Sequence, residues 1–156
     1  MAIVHIGIGS NIGDRQENCR EAIRQLGLQG VKVIKESSMI ETEPWGVADQ
    51  PRFINMAVEA ETALMPSQLF IILKNIEKDM GRTAAVRWGP RVIDLDILFY
   101  DDMVLDSPEL KIPHPYLQER PFVLIPLAEI APEKVHPVLK KTMRELGSGP
   151  ADDPCR

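Results

Sequence analysis

Only two cysteines occur in the chain, Cys19 and Cys155. They have neither the spacing of a disulfide framework nor that of metal ligands, which fits a reducing cytoplasm. Long hydrophobic runs are also missing, since none approaches the ~20 residues that cross a bilayer. The opening MAIVHIGIGSN has no basic stretch and no cleavage site, so no signal peptide is expected. Basic excess is lacking as well: the formal net charge is −5. A general nucleic-acid surface is therefore disfavoured, although a local arginine cluster for a phosphate ligand remains compatible with it. No Gly-Lys-Ser/Thr occurs, which excludes a Walker-type phosphate loop. The stretch GIGSNIG, Gly7 to Gly13, is one residue too long for a dinucleotide fingerprint and reads as a tight strand-to-helix turn. Internal repeats, linkers and low-complexity segments are absent.

What is there suffices for one soluble domain. The 156 residues can bury a core, and 44% hydrophobic with 26% charged residues is a globular balance. A single domain over 1–147 is expected, with 148–156 as a flexible tail. Residues 2–9 read as a strand. Asp14 is a plausible N-cap for a helix over 15–27, with Cys19, Ala22, Ile23 and Leu26 on one face. Residues 31–42 read as one strand and 53–62 as another, with clean alternation. Pro66 starts a second helix with an apolar face of Leu69, Ile72, Leu73, Ile76 and Met80, and Gly81 stops it. A strand follows over 92–100, then a hairpin turn at Asp101–Asp102 into MVL. Two short helices, FVLIPLAEIA and PVLKKTMRELG, close the chain. The 13 prolines gather in loops and in the second half.

The order is strand, helix, strand, strand, helix, strand. It predicts an α+β fold with a ferredoxin-like βαββαβ core. The sheet is mainly antiparallel, with two helices on one face and the C-terminal extension on the other.

The most informative stretch is RWGPRVIDLDILFYD, Arg87 to Asp101. Strand side chains alternate. Val92, Asp94, Asp96, Leu98 and Tyr100 fall on one face by that rule, and Ile93, Leu95, Ile97 and Phe99 on the other. The two aspartates sit roughly 6–7 Å apart along the strand. Such a pair is costly unless a cation sits beside it. An oxygen-only donor set favours Mg²⁺, which two carboxylates hold together with substrate phosphates. Taken alone, D-x-D more often is a solvated strand face. The flanks shift the balance: Arg82, Arg87 and Arg91 precede the pair in a short loop, and guanidinium suits phosphate oxygens. Carboxylates for a metal beside arginines for phosphate are the parts of phosphoryl transfer.

Other constellations are weaker. Glu59 and Glu61, like Glu41 and Glu43, read as solvent-facing pairs that no arginine cluster adjoins. PHPYLQERPF brings His114, Tyr116, Arg120 and Phe122 into one loop, where a structural histidine is the commoner reading. Phe53 with Asn55 two residues on can clamp and hydrogen-bond a flat heterocycle, although Phe53 alone would more often be core.

Together these segments resemble a known family. RWGPRVIDLDIL is similar to the signature of the 6-hydroxymethyl-7,8-dihydropterin pyrophosphokinases of folate biosynthesis. IGIGSNIGDR, TEPWG, DQPRFINMAV, IEKDMGR and IPHPYLQERPFVLIPLAEIAPE occur in the family's order, over nearly the whole chain. The resemblance implies transfer of pyrophosphate from ATP to the hydroxymethyl oxygen of the pterin, with release of AMP. It implies two Mg²⁺ ions on Asp94 and Asp96, and charge neutralisation by Arg82 and Arg91. Glu77, Arg82, Trp88, Arg91, His114, Tyr116 and Arg120 would meet ATP. Thr42, Glu43, Trp45, Phe53, Asn55, Asp94 and Phe122 would meet the pterin, with Phe53 and Phe122 as the sandwiching pair. No nucleic acid or membrane partner is expected, and a monomer is.

Two departures stand out: the loop GRTAAVRWGPR is one residue short, with Ala84 in place of a further arginine, and Phe53 stands where tyrosine also occurs. The residues do not identify a general base. A ferredoxin-like binding module without chemistry would have no need of the aspartates beside Arg82 and Arg91. An RNA-binding module would need an aromatic-rich glycine motif that is missing.

Overall fold

The computed structural model describes residues 1–42, 52–81 and 92–147. In chain order the elements are β1 (Ala2–Ser10), α1 (Arg15–Leu28), β2 (Val31–Glu36), β3 (Ile40–Thr42), β4 (Phe53–Thr62), α2 (Pro66–Asp79), β5 (Asp94–Tyr100), β6 (Leu105–Asp106), β7 (Lys111–Ile112), α3 (Pro121–Ile130) and α4 (Met143–Gly147). A single 3-10 turn covers Leu117–Glu119.

Local chemistry explains most boundaries. The Asp14 carboxylate accepts the Glu17 N–H at 3.2 Å and satisfies one free donor at the start of α1. Pro66 opens α2, where its missing N–H is harmless. Gly81, at φ +98°, turns the chain out of that helix in a conformation that other residues resist.

The sheet runs β2-β4-β1-β5, with β3 also on β4. Every pairing is antiparallel. The two apolar faces sort by strand alternation. Val4, Ile6, Ile8, Met56 and Val58 pack with Leu26 of α1 and Leu69 and Leu73 of α2. On the opposite face, Ala57, Leu98 and Phe99 pack with Leu124, Leu127 and Ile130 of α3. Each fully buried leucine contributes roughly 1.5–3 kcal/mol relative to exposure, so both layers are held mainly by burial. Helices thus cover both sides of the sheet.

Four expectations need correction. The strand foreseen over 31–42 breaks between β2 and β3. There the Ser37 hydroxyl takes the place of a ladder carbonyl, accepting the Ala57 N–H at 2.9 Å and donating to the Ser38 carbonyl. Of the turn foreseen over Gly7 to Gly13, the first part belongs to β1, in line with the strand foreseen over 2–9, and the strand runs on to Ser10. Asp101–Asp102 do form a turn, but MVL does not pair with β5; β6 pairs with β7. The last foreseen helix is helical only from Met143. Upstream, the His136 ring accepts the Val138 and Leu139 N–H groups, and Lys140 has φ +61°. Thr142 and Glu145 then cap α4 reciprocally, at 2.9 and 3.1 Å.

A further correction concerns β5. Its register on β1 slips between His5 and Ile6, because His5 pairs with Phe99 but Ile6 pairs with Ile97. Leu98 is the extra residue of a bulge. Leu98 and Phe99 therefore both face α3, and Tyr100 turns to the other side, where its hydroxyl donates to the Leu64 carbonyl at 2.7 Å. Strict alternation fails for Phe99 and Tyr100. It holds for Asp94 and Asp96, which precede the bulge.

Glu59 is not a solvent-facing edge residue either. It lies on the interior strand β4, opposite His5, and its carboxylate accepts from the His5 Nε2 at 2.9 Å. Burial lowers the pKa of His5, so the ring is neutral and Nε2 carries the proton.

Candidate active site

Three strands bring polar groups abreast on the α3 side of the sheet. Gly9 of β1 pairs with Asn55 of β4 on one flank and with Asp94 of β5 on the other. Gly7 pairs with Ala57 and Asp96 in the same way. Hydrophobic side chains from α3 fill the far half of this face, over Ala57, Leu98 and Phe99. The near half, with Gly9, Asn55 and the aspartates, carries none of that cluster.

Asp94 and Asp96 are both half-buried, and their neighbours Ile93, Leu95 and Ile97 are core. The Asp96 carboxyl is pushed up to about 7, by burial first and then by the charge of Asp94. Glu77 adds to the rise, whereas Lys74 and Arg120 oppose it. This is the signature of negative charge held close together without full compensation. Among the described residues, no third His, Cys, Asp or Glu completes a metal-ligating cluster. Two half-buried carboxylates on one strand face still match Mg²⁺, which takes its remaining ligands from water and phosphate.

Glu77 is 1% exposed and projects from α2 to the edge strand. Its Oε2 accepts the Leu95 N–H at 2.8 Å, between the two aspartates, and the Lys74 Nζ donates to Oε1 at 3.2 Å. Lys74 was not singled out in the sequence; on a helix it resembles any solvated lysine. The signal was its position three residues before a carboxylate that turns inward.

The segment after β7 lies along β5. The His114 N–H donates to the Leu98 carbonyl at 3.1 Å. The His114 Nδ1 accepts the Tyr116 N–H at 3.3 Å. Burial and the nearby Arg120 hold His114 down at about 4, against a weaker pull from Asp94. The ring is thus a neutral Nε2–H tautomer across the physiological range. The Arg120 guanidinium lies 5.3 Å from the Tyr116 ring and 5.8 Å from the Phe122 ring, distances at which cation–π attraction orients it. Between this segment and β5 lies a cleft of about 230 Å³, bordered by Phe70, Leu95, Asp96, Ile97, Leu110 and His114.

A prediction follows for His114. Its ring resonances are expected to stay constant from pH 8 to pH 5 in an NMR titration. The unfolded chain binds a proton near pH 6.5 that the folded chain refuses until about pH 4. The neutral ring's contribution to stability is therefore present above pH 6.5 and is lost as the pH falls from there towards 4. His114→Gln should remove that part of the acid sensitivity in thermal melts. A ring titrating near 6.5 would overturn the assignment.

The remaining expected site residues divide cleanly. Phe53 and Asn55 lie on β4, opposite Thr42 and Ile40 of β3. Phe122 stands in the first turn of α3, the helix packed over that face. Glu43, Trp45, Arg82, Arg87, Trp88 and Arg91 lie outside the described residues, as do Ala84 and the tail 148–156. Cys19, by contrast, is plainly core, and burial raises its thiol to about 11. Glu41 is engaged structurally: it binds Arg15 at 2.9 Å and Arg52 at 3.5 Å.

The family model for 7,8-dihydro-6-hydroxymethylpterin-pyrophosphokinase (HPPK) matches residues 5–132. The chain belongs to this family. It is 41% identical over 146 residues to the 2-amino-4-hydroxy-6-hydroxymethyldihydropteridine pyrophosphokinase of Aquifex aeolicus, a match that covers 94% of this chain and 91% of that one. It is 50% identical over 127 residues to the mitochondrial folate synthesis bifunctional protein of Pisum sativum, covering 81% of this chain but 25% of that one. Among solved structures, Plasmodium falciparum HPPK-DHPS with pteroate superposes with a TM-score of 0.75 at 20% identity, over 94% of this chain and 42% of the other. That likeness supports the fold of helices on an antiparallel sheet. The chain thus spans nearly all of one relative and a minor part of the bifunctional ones. No helix among the described residues is long and apolar enough to cross a membrane.

Proposed function

We propose that the Asp94–Asp96 face is where this chain carries out its family's reaction: pyrophosphate passes from ATP to 6-hydroxymethyl-7,8-dihydropterin in folate biosynthesis. The products are the dihydropterin diphosphate and AMP. The observation that carries this reading is the row Asn55–Gly9–Asp94 across three paired strands. Two strand spacings separate its ends by about 10 Å. That distance suits a flat bicyclic heterocycle hydrogen-bonded at Asn55, with its one-carbon arm reaching towards Asp94.

Each group then has a task. Asp94 and Asp96 would hold Mg²⁺, which when bound would offset the charge of the ATP phosphates. The Glu77 carboxylate fixes the backbone between the aspartates, so that they stand rigidly. Arg120, steadied between Tyr116 and Phe122, meets ATP oxygens with a guanidinium fork. Neutral His114 offers a ring N–H to the nucleotide without adding charge. Phe53 and Phe122 flank the pterin, whose edge meets Asn55, Asp94, Thr42, Glu43 and Trp45. Arg82, Trp88 and Arg91 complete the phosphate side. Positioning and charge neutralisation supply most of the acceleration in such transfers. The reading also takes the core as ferredoxin-like, on the strand order and connectivity. It takes a single chain in the cytoplasm as the working unit.

The test follows the phosphorus. ATP labelled at the β-phosphate should pass its label to the pterin product. Label that stays wholly with the nucleotide would exclude pyrophosphoryl transfer.

A further inference from the structure

Gly9 is the residue on which the row turns. It is the last residue but one of β1 and is paired on both sides, in a strand, where glycine is unfavourable and commonly marks a close approach of other groups. An added Cβ at Gly9 would stand 2.8 Å from the Asn55 Oδ1, 3.6 Å from the Ile54 carbonyl oxygen and 3.6 Å from the Phe53 ring. The Asn55 amide therefore occupies the space that a side chain at position 9 would take. Gly7, two residues away on the same face, differs. The nearest atoms to a Cβ there are Leu98 methyl and methine carbons, at 3.5–3.7 Å, which is ordinary contact.

We propose that Gly9 is a positioning residue for the heterocycle. Its missing side chain lets the Asn55 amide lie across β1, on the line between β4 and Asp94, and leaves a flat floor beside the amide. The group nearest to such a Cβ is the end of one short side chain, and the backbone comes no closer than 3.6 Å. The strand consequently tolerates alanine at position 9, and only the amide is displaced. Gly9 thus governs recognition of the pterin edge and not the integrity of the fold. This inference rests on the reading that Asn55 binds the pterin.

The experiment compares Gly9→Ala, Gly7→Ala, Asn55→Ala and the double variant Gly9→Ala/Asn55→Ala. Binding of 6-hydroxymethyl-7,8-dihydropterin is read by calorimetry, and turnover with ATP by steady-state kinetics. Gly9→Ala should weaken pterin binding about tenfold, with the KM for ATP unchanged and the thermal midpoint close to that of Gly7→Ala. Gly7→Ala should bind as the wild type does. In the Asn55→Ala background, Gly9→Ala should have no further effect, because the two act through one group. Wild-type affinity in Gly9→Ala, or effects that simply add in the double variant, overturns the proposal. Calorimetry judges it separately from the reaction: a wild type that binds the pterin but releases no AMP refutes the function, while the variant affinities still decide the role of Gly9.

Discussion

Replacing Asp96 by alanine is expected to lower turnover by about 10³-fold or more, while the protein remains folded. The reason lies in where the carboxylate is mounted. Ile93, Leu95 and Ile97 anchor β5 from the core side, so loss of a half-buried polar side chain on the other face leaves that packing untouched. The pair is moreover a source of repulsion. In the folded protein Asp96 keeps its proton up to about pH 7, whereas in the unfolded chain it releases it near pH 4. Through that window the folded state binds more protons, so this group makes stability fall as the pH rises. Asp96→Asn should accordingly melt no lower than the wild type at pH 8 without added cation, yet be as inactive as Asp96→Ala. Asp94→Ala should behave in the same way. Retained turnover in either alanine variant would remove the metal site from the account.

Glu77→Ala is expected to cost about 2–4 kcal/mol of stability, read as a lower urea midpoint. A side chain 1% exposed that binds a backbone N–H at 2.8 Å leaves a buried donor behind when it is cut away. The site suffers as well, because the orphaned N–H belongs to Leu95, between the two aspartates. Glu77→Gln keeps the acceptor and the shape but not the charge, and should recover most of the stability. Were both variants within about 0.5 kcal/mol of the wild type, Glu77 would not anchor the edge strand.

Much of this was legible in the sequence, and the parts that were not have physical causes. Residues 53–62 and 66–79 were readable because a long periodic pattern and its caps agree. The pairing of Asp94 with Asp96 was readable because two residues of a strand need no knowledge of its partner. The bulge at Leu98 was not, since it depends on how β5 registers on β1. Ser37 gives no local hint that its hydroxyl will replace a backbone carbonyl. Gly9 reads as the end of a strand, but that Asn55 and Asp94 flank it depends on β4 and β5, which come later in the chain. The same holds for Glu59, whose alternation is right but whose neighbour His5 comes from a strand 54 residues away in sequence. Local rules see the element, whereas long-range pairing decides what its side chains meet.

The central claim is that the β,γ unit of ATP leaves as one piece. The most direct measurement is the nucleotide product after incubation with ATP, Mg²⁺ and 6-hydroxymethyl-7,8-dihydropterin, separated by chromatography. The account predicts AMP in equal amount to the pterin diphosphate, and none without the pterin. ADP as the product would make this chain an ordinary kinase and contradict the account.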